Sequence, residues 1–312
     1  MSARPSSPYR YRLSGLSVAS EFALPMRLAD DPAKAAPPDV TIHLGEVAES
    51  LATPAHRGAN WTADDRSFLL NLPQIGRFLA EDGRKITVCP APETPLDDIL
   101  VFVTGTAFAA ILYQRGAMLL HGSAVVREGR AFVFCGASGA GKSTLAGALV
   151  RDGATLLADD VCAIEQPPHG GPLVHADGRA LRLYPDSIAT IGLGDGVGAR
   201  VRRRIEKFHV RVGDASDAPV AAPLAAIYML AHANAAAPAG ITPFPLLDAA
   251  QALLHQTYRR RLALAYSDRA QPARRAAALL GHVPVFRLHR AFEFGRLDEG
   301  VAMLNAHWAG LR

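Results

Sequence analysis

Two short stretches of the chain carry residue types suited to phosphate chemistry. The first, "GASGAGKS", begins at Gly136 and fits the pattern G-x-x-x-x-G-K-[ST] between a β-type run and an amphipathic helical run. Glycines let backbone N–H groups converge on phosphate oxygens, and a helix N-terminus adds the positive end of its dipole. Lys142 in such a loop faces the β- and γ-phosphates, and the Ser143 hydroxyl ligates Mg²⁺. The predicted nucleotide site consists of Gly136, Ala137, Ser138, Gly139, Ala140, Gly141, Lys142, Ser143 and Thr144. An ordinary glycine-rich turn between strand and helix is the alternative interpretation.

The second stretch is "LLADD", in which Asp159 and Asp160 follow Lys142 by 17 and 18 positions. It ends a predicted strand, and the carboxyl ends of strands in an α/β sheet face the ligand crevice. Adjacent strand residues point in opposite directions, so both carboxylates reach one site only if the chain turns there. One would then hold Mg²⁺ together with Ser143, and the other would accept a proton from an incoming hydroxyl. The alternative is an Asp-Asp turn that only ends a strand.

The elements around these stretches predict two regions. Residues 1–115 read as a small α+β module of short strands, closed by a buried helix in the apolar run Ile99–Tyr113. That run is shorter than a membrane-spanning helix requires, and Thr and Gly interrupt it. Residues 116–312 alternate strands and helices, with a hairpin turn at "REGR", which predicts a mainly α/β catalytic region. One long helix is predicted over "LLDAAQALLHQTYRRRLALAY", with Arg259–Arg261 on its solvated face.

Composition limits the classes of function. With 49% hydrophobic and 20% charged residues, the chain is typical of a soluble globular protein. A net charge of +4 does not predict a nucleic-acid partner, which would require a strong basic stripe. The three cysteines lack paired or metal-ligand spacing, and no signal peptide opens the chain. These features predict a cytoplasmic protein that works without a membrane.

A glycine-rich basic segment, "GLGDGVGARVRRR", predicts a mobile loop near the site. Its arginines would meet acceptor or γ-phosphate charge when the loop closes as a lid, with Lys207 as a further cation. A solvated surface loop is the alternative interpretation. The residues concerned are Gly192, Gly194, Gly196, Gly198, Arg200, Arg202, Arg203 and Arg204.

The stretch His121–Asp160, "HGSAVVREGRAFVFCGASGAGKSTLAGALVRDGATLLADD", resembles the catalytic core of the HPr kinase/phosphorylase family. That family joins a His-Gly, a β-hairpin, a phosphate loop, one helix and a strand ending in Asp-Asp in this order. The resemblance implies a mixed-sheet fold akin to phosphoenolpyruvate carboxykinase and transfer of a phosphoryl group from ATP to a serine. It also implies that His121 lies beside the acidic pair, although a lone histidine is more often a packed structural residue. The resemblance also implies that Asp159 and Asp160 divide the metal and base duties; both are candidate metal ligands with Ser143, and we favour Asp160 as the base.

The match leaves the acceptor open. The first 115 residues do not resemble the family's N-terminal domain, and no second signature follows the acidic pair, so phosphorolysis and HPr as substrate are not implied. The layout, with "YRLSGLSVASE" ahead of "QRGAMLLHGSAV", is more similar to HPr-kinase-like proteins of lasso-peptide gene clusters. This implies a serine at the C-terminus of a precursor peptide as acceptor. A small-molecule kinase and a non-catalytic nucleotide-binding regulator remain alternative functions. A second copy of the chain, in a homo-oligomer, is a further candidate partner.

Overall fold

The structure is a computed structural model that describes residues 9–26, 28, 36–202, 205–212, 219–235 and 237–311. Within these residues the strands form three sheets with helices packed against them, so the predicted mixed α/β fold is confirmed. Arg203 and Arg204 of the predicted lid lie outside the described residues.

The first sheet contains eight strands in the order β1-β2-β3-β8-β7-β6-β5-β4. Their bounds are β1 (Tyr9–Leu13), β2 (Leu16–Ser20), β3 (Val40–Leu44), β4 (His56–Arg57), β5 (Trp61–Ala63), β6 (Ser67–Leu72), β7 (Gly76–Glu81) and β8 (Lys85–Pro90). Buried and half-buried residues alternate along β7, as expected where one face of a strand meets a core. The stretch "YRYRLSGLSVAS", within the predicted module of short strands, is a hairpin, because Ser14 and Gly15 turn the chain with φ of 50° and 83°.

The apolar run forms a continuous helix made of α1 (Leu96–Phe102), a π-helical turn (Val103–Ala107) and α2 (Phe108–Gln114). At 19 residues it is longer than expected, and by length and composition alone it is able to cross a membrane. However, 72% of its apolar window is buried inside the protein, which confirms the prediction of a buried helix. It packs in one core with residues of the first sheet and with Val161 and Tyr258 from the second half of the chain.

The remaining strands are β9 (Met118–Leu120), β10 (Gly122–Arg127), β11 (Arg130–Cys135), β12 (Thr155–Asp159), β13 (Cys162–Glu165), β14 (Leu173–His175), β15 (Leu181–Leu183), β16 (Val197–Arg202), β17 (Ile205–Val210), β18 (Ala221–His232), β19 (Gly240–Pro243) and β20 (Val285–Arg290). Nine of them form the central sheet in the order β12-β10-β11-β18-β14-β13-β9, with β20 beside β18 and β19 beside β20. The predicted hairpin β10–β11 is confirmed. Strands β11, β18 and β20 run parallel, and β12 shares their direction because it is antiparallel to β10. All four therefore end at the same edge of the sheet.

The other helices cover both faces of this sheet, except α6 (Arg260–Ala265), which packs in the core of the first sheet. They are α3 (Lys142–Arg151), α4 (Pro185–Ile191), α5 (Leu246–His255), α6 (Arg260–Ala265), α7 (Gln271–Leu280) and α8 (Leu297–Gly310). Helices α3, α4 and α8 share one core, and α5 and α7 share another. Helix α7 was not among the sequence predictions, although its proline in the first turn is a common helix start.

The prediction of one long helix over "LLDAAQALLHQTYRRRLALAY" was wrong. The helix ends at His255 and restarts at Arg260, and Arg259 between them has φ of 45°. Backbone bonds to β9 and its neighbour replace the helical ones: His121 N donates to Gln256 O at 2.7 Å, and Tyr258 N donates to Leu119 O at 3.0 Å. Tertiary pairing therefore overrides the local helical preference.

The glycine-rich segment is not one loop: Gly192 ends α4, Gly194–Gly196 form a short 3₁₀ turn, and Val197–Arg202 form strand β16. Strands β16 and β17 pair with each other, and β17 also pairs with β15 to complete the third sheet. A Cβ at Gly196 would overlap the carbonyl oxygen of Arg211, and one at Gly198 would lie 3.2 Å from His209 O. These two glycines therefore permit close backbone approach.

Candidate active site

The phosphate loop lies between β11 and α3, at the sheet edge where the parallel strands end. Gly136, Gly139 and Gly141 have φ of 151°, 82° and 76°, a region that favours glycine. Lys142 is 8% exposed, and its Nζ donates to Gly136 O at 3.0 Å and to Ala137 O at 3.1 Å. Burial lowers the pKa of the Lys142 ammonium group. The loop backbone therefore wraps around the Lys142 side chain, and glycines occupy its positive-φ positions.

Both carboxylates of the acidic pair were expected to reach one site only if the chain turns there, and it does turn after β12. Asp160 has φ of 76°, in the left-handed region, and both carboxylates line the cavity that the phosphate loop lines. Asp159 is 1% exposed. Its Oδ1 accepts hydrogen bonds from Ser143 Oγ at 2.7 Å and Ser123 Oγ at 2.6 Å, and its Oδ2 accepts one from the Arg182 backbone N–H at 3.0 Å. The turn brings Asp159 and Asp160 to the predicted loop.

Asp160 lies among cations. Its Oδ2 is 3.0 Å from Arg182 Nη1, and its Oδ1 is 3.4 Å from His121 Nδ1, which also lies 2.9 Å from the Asp160 carbonyl oxygen. Burial alone would raise the pKa of Asp160, but Arg182, Arg179, His121 and Arg259 outweigh it and lower that pKa. The carboxylate is therefore ionised at neutral pH and able to accept a hydrogen bond from a hydroxyl.

Arg182 and its neighbours were missed by the sequence reasoning. Asp177, which is 1% exposed, accepts hydrogen bonds from the backbone N–H groups of Asp159 and Arg179, both at 3.0 Å. Burial raises the pKa of Asp177 to about 6. Arg179 Nη2 donates to Thr104 O at 2.5 Å, in the π-helical turn. This buried network joins the acidic pair to the apolar helix, and no spacing in "HADGRALR" signals it.

Three further contacts support the phosphate loop from outside. Arg290, 5% exposed, donates from Nη2 to Ala140 O at 3.0 Å. The Gly136 backbone N–H donates to Gln256 Oε1 at 3.3 Å. At the start of α3, Thr144 Oγ1 lies 3.0 Å from Ser187 Oγ of α4.

The cavity has a volume of about 460 Å³, and its walls come from several elements. The β16–β17 hairpin contributes Arg202 and Lys207, so two cations of the predicted lid reach the cavity. Arg202 Nε lies 3.4 Å from Asp98 Oδ1 and its guanidinium packs over Phe102, which ties the hairpin to α1. Arg200 instead packs over the ring of Phe208.

Arg259, Arg260 and Arg261 are exposed, as predicted, but Arg259 lies in the break before α6 and not within a helix. Arg259 stacks over the Tyr258 ring at 5.6 Å and contributes to the positive potential at Asp160. The break in the helix at Arg259, where φ is 45°, separates it from the helical face that the sequence predicted.

The donors near the loop fit Mg²⁺ as a shared ion. Within the part of the chain that the structure describes, no group of three or more His, Cys, Asp or Glu side chains could by itself hold a metal ion. Ser143 Oγ and Asp159 Oδ1, 2.7 Å apart, are the oxygen donors that Mg²⁺ prefers. Mg²⁺ typically completes its shell with waters and nucleotide phosphates, so these two donors suffice for a nucleotide-dependent site.

Comparison with known proteins identifies only a distant structural likeness. No family model and no curated protein matches the chain. The fold is similar to a solved structure of the Hpr(Ser) kinase/phosphatase from Coxiella burnetii, with 12% sequence identity and a TM-score of 0.34. The likeness covers 62% of this chain and 97% of that chain. A likeness at this level carries no function over to this chain.

Proposed function

We propose that the protein is an ATP-dependent kinase that transfers the γ-phosphoryl group to a serine hydroxyl of a peptide or small protein. The observation that carries the proposal is the meeting of Asp160 with the phosphate loop in one cavity. A protein that only binds nucleotide needs the loop and a metal ligand. It does not need a second, ionised carboxylate with a partly exposed side chain beside them.

Each residue has a distinct task in this mechanism. The loop amides and Lys142 hold the triphosphate, and Ser143 with Asp159 would hold Mg²⁺, which neutralises phosphate charge during transfer. Asp160 orients the serine hydroxyl and accepts its proton as the oxygen bonds to the γ-phosphorus and the bond to the β-phosphate oxygen breaks. Arg182 and His121 position Asp160 and favour its ionised form. ADP and a phosphoserine are the products.

The more specific form of the proposal concerns the acceptor. The layout of the sequence supports the C-terminal serine of a lasso-peptide precursor, in a cytoplasmic setting where ATP and Mg²⁺ are abundant. A small-molecule kinase is the second candidate, because a cavity of about 460 Å³ is also of the size that encloses a small ligand.

The test is phosphorylation of a defined acceptor. The first acceptor to test is a peptide with a terminal serine, sought among short reading frames beside the gene. We expect mass spectrometry to show steps of about 80 Da, one phosphoryl group each, when the peptide is incubated with enzyme and Mg-ATP. Blocking the terminal serine by Ser→Ala substitution in the peptide should remove the step. ATP binding without any phosphorylated peptide or small molecule would instead favour a regulator.

A further inference from the structure

Three exposed aromatic residues line the cavity away from any hydrogen-bonding role assigned above. Tyr184, Phe292 and Phe294 are 52%, 40% and 43% exposed, and all three are part of the cavity wall. Aromatic surface that stays exposed inside a concave site is a typical ligand contact. The three rings are therefore candidates for contact with the base of the bound nucleotide.

The order of strands places Phe294 opposite the acidic pair. In the central sheet β12 lies two strands to one side of β11, and β20 lies two strands to its other side. All end at the same edge, and strands are spaced about 4.8 Å apart, so the segments after β12 and β20 flank the phosphate loop roughly 19 Å from each other. Asp160 follows β12, whereas residues 291–296 follow β20. The two ends of the cavity therefore differ in chemistry.

Local contacts connect the Phe294 end to the phosphate loop. Arg290, the last residue of β20, reaches Ala140 O in the loop. The short turn Phe294–Arg296 packs against α4, whose Ser187 meets Thr144 at the start of α3. If phosphoryl transfer occurs beside Asp160, the leaving ADP extends away from it, toward this end.

The three rings differ in whether a face is free. Lys207 Nζ lies 4.8 Å from the centre of the Tyr184 ring, and Arg290 Cζ lies 5.1 Å from that of Phe292. His232 adds an edge contact to Phe292. Among the residues that the structure describes, none makes a ring or cation contact with Phe294. Of the three rings, Phe294 is therefore the one without a cation or ring packed against it among the described residues.

We propose that Phe294 is the stacking platform for the nucleobase of the bound nucleotide, at the end of the cavity opposite Asp160. This inference rests on the proposed kinase function and assigns an orientation to the bound nucleotide. The triphosphate crosses the loop with the base on the β20 side, and the acceptor reaches the γ-phosphate from the β12 side.

Calorimetric titration with two ligands tests the stacking role. Mg-ATP carries the base, and inorganic tripolyphosphate with Mg²⁺ carries only the phosphates. We expect Phe294→Ala to weaken ATP binding roughly 5- to 100-fold, the range typical of a base stacked on an aromatic ring, and tripolyphosphate binding less than about twofold. Leu246→Ala is the matched control, because Leu246 is 68% exposed and is not part of the cavity wall. It should leave both affinities unchanged.

A second variant reports the contact directly. Phe294→Trp keeps a stacking surface, so ATP should bind about as well as to the wild type, and ATP should quench the new indole fluorescence. Tripolyphosphate should not. The wild type, whose two tryptophans are Trp61 in the first sheet and the buried Trp308, supplies the background signal.

The outcomes separate the two proposals. If Lys142→Ala loses both ligands while Phe294→Ala keeps wild-type ATP affinity, the nucleotide site stands and the stacking role is overturned. An ATP-insensitive indole at position 294 would overturn it as well. If the wild type binds neither ligand, the kinase proposal fails, and the base site fails with it.

Discussion

The bottom and the rim of the cavity are built differently. The bottom consists of Lys142, Ser143, Asp159 and Asp160, and every one of these side chains has a polar partner at 3.0 Å or less. The rim consists of the β16–β17 hairpin and residues 291–296. It exposes Ile205, Phe292 and Phe294 by 37–43%, and its cations pack on aromatic rings.

This difference indicates that the bottom of the cavity performs phosphoryl transfer and that the rim selects the ligand. Groups that transfer a phosphoryl group must be fixed in position, which the buried network of the bottom achieves. Groups that choose a ligand need accessible surface, and the rim provides it. We therefore expect changes in the bottom to abolish turnover, and changes in the rim to alter affinity for one ligand at a time.

The largest effect is expected from Lys142→Ala. Loss of the ammonium group leaves phosphate charge uncompensated in the transition state, so transfer should fall by roughly 10³-fold or more. Radiolabel transfer from ATP to the acceptor measures the change. Lys85→Ala is the control, because Lys85 lies on the first sheet with a half-exposed side chain paired only to Glu81. Normal transfer by the Lys142 variant would refute the assignment of the site.

Asp160→Asn should have the next largest effect. The amide cannot accept the hydroxyl proton, so kcat should fall by roughly 10²- to 10⁴-fold while ATP affinity remains within about twofold. Asp159→Asn should instead weaken Mg²⁺-dependent ATP binding, because Asp159 contacts Ser143. A fully active Asp160→Asn protein beside an inactive Asp159→Asn protein would show that the two roles are reversed.

The parts that the sequence predicts well are those encoded by local patterns. The phosphate loop, its helix α3 and the strand that ends at Asp159 all lie within one short stretch, where glycine spacing and hydrophobic periodicity specify each element. Asp160 in the left-handed conformation is harder to foresee, because a single aspartate carries the turn.

The site residues that the sequence did not predict come from distant positions in the chain. Arg182, Gln256 and Arg290 contact the acidic pair or the loop through tertiary contacts that no spacing in one sequence reveals. The same physics explains the wrong predictions. Gln256 bonds to the backbone of His121 and interrupts a helix that the local sequence favours, and Gly196 and Gly198 permit close backbone approach.

A change in the rim should act on the acceptor more than on the nucleotide. Arg202→Ala removes the contacts with Asp98 and Phe102, so the hairpin loses its attachment to α1. We expect the KM for the acceptor to rise roughly three- to tenfold, as for a partly exposed ion pair and a cation–π contact, with the KM for ATP changed less than about twofold. Arg200→Ala, on the same hairpin but outside the cavity wall, is the matched control. Equal increases in both KM values would contradict a selective rim.

The smallest expected effect is a loss of folding stability at low pH that is confined to the rim of the cavity. His209 of β17 pairs with Arg182 of β15, and burial, aided by Arg182 and Arg179, lowers the pKa of His209 to about 4. Between that value and 6.5 the unfolded chain binds a proton that the folded chain does not, so stability falls as pH falls through this window. After a discount for partial exposure, we expect the wild type to lose about 1 kcal/mol more between pH 7.5 and 5 than His209→Gln.

Urea unfolding of both proteins at the two pH values measures this difference. Hydrogen exchange should locate the acid-induced loosening in β16 and β17, while β11 and α3 stay protected. The two proteins losing equal stability would mean that the hairpin does not hold a neutral histidine against Arg182. Loosening of β11 along with the hairpin would mean that bottom and rim open as one unit, contrary to the division of roles argued above.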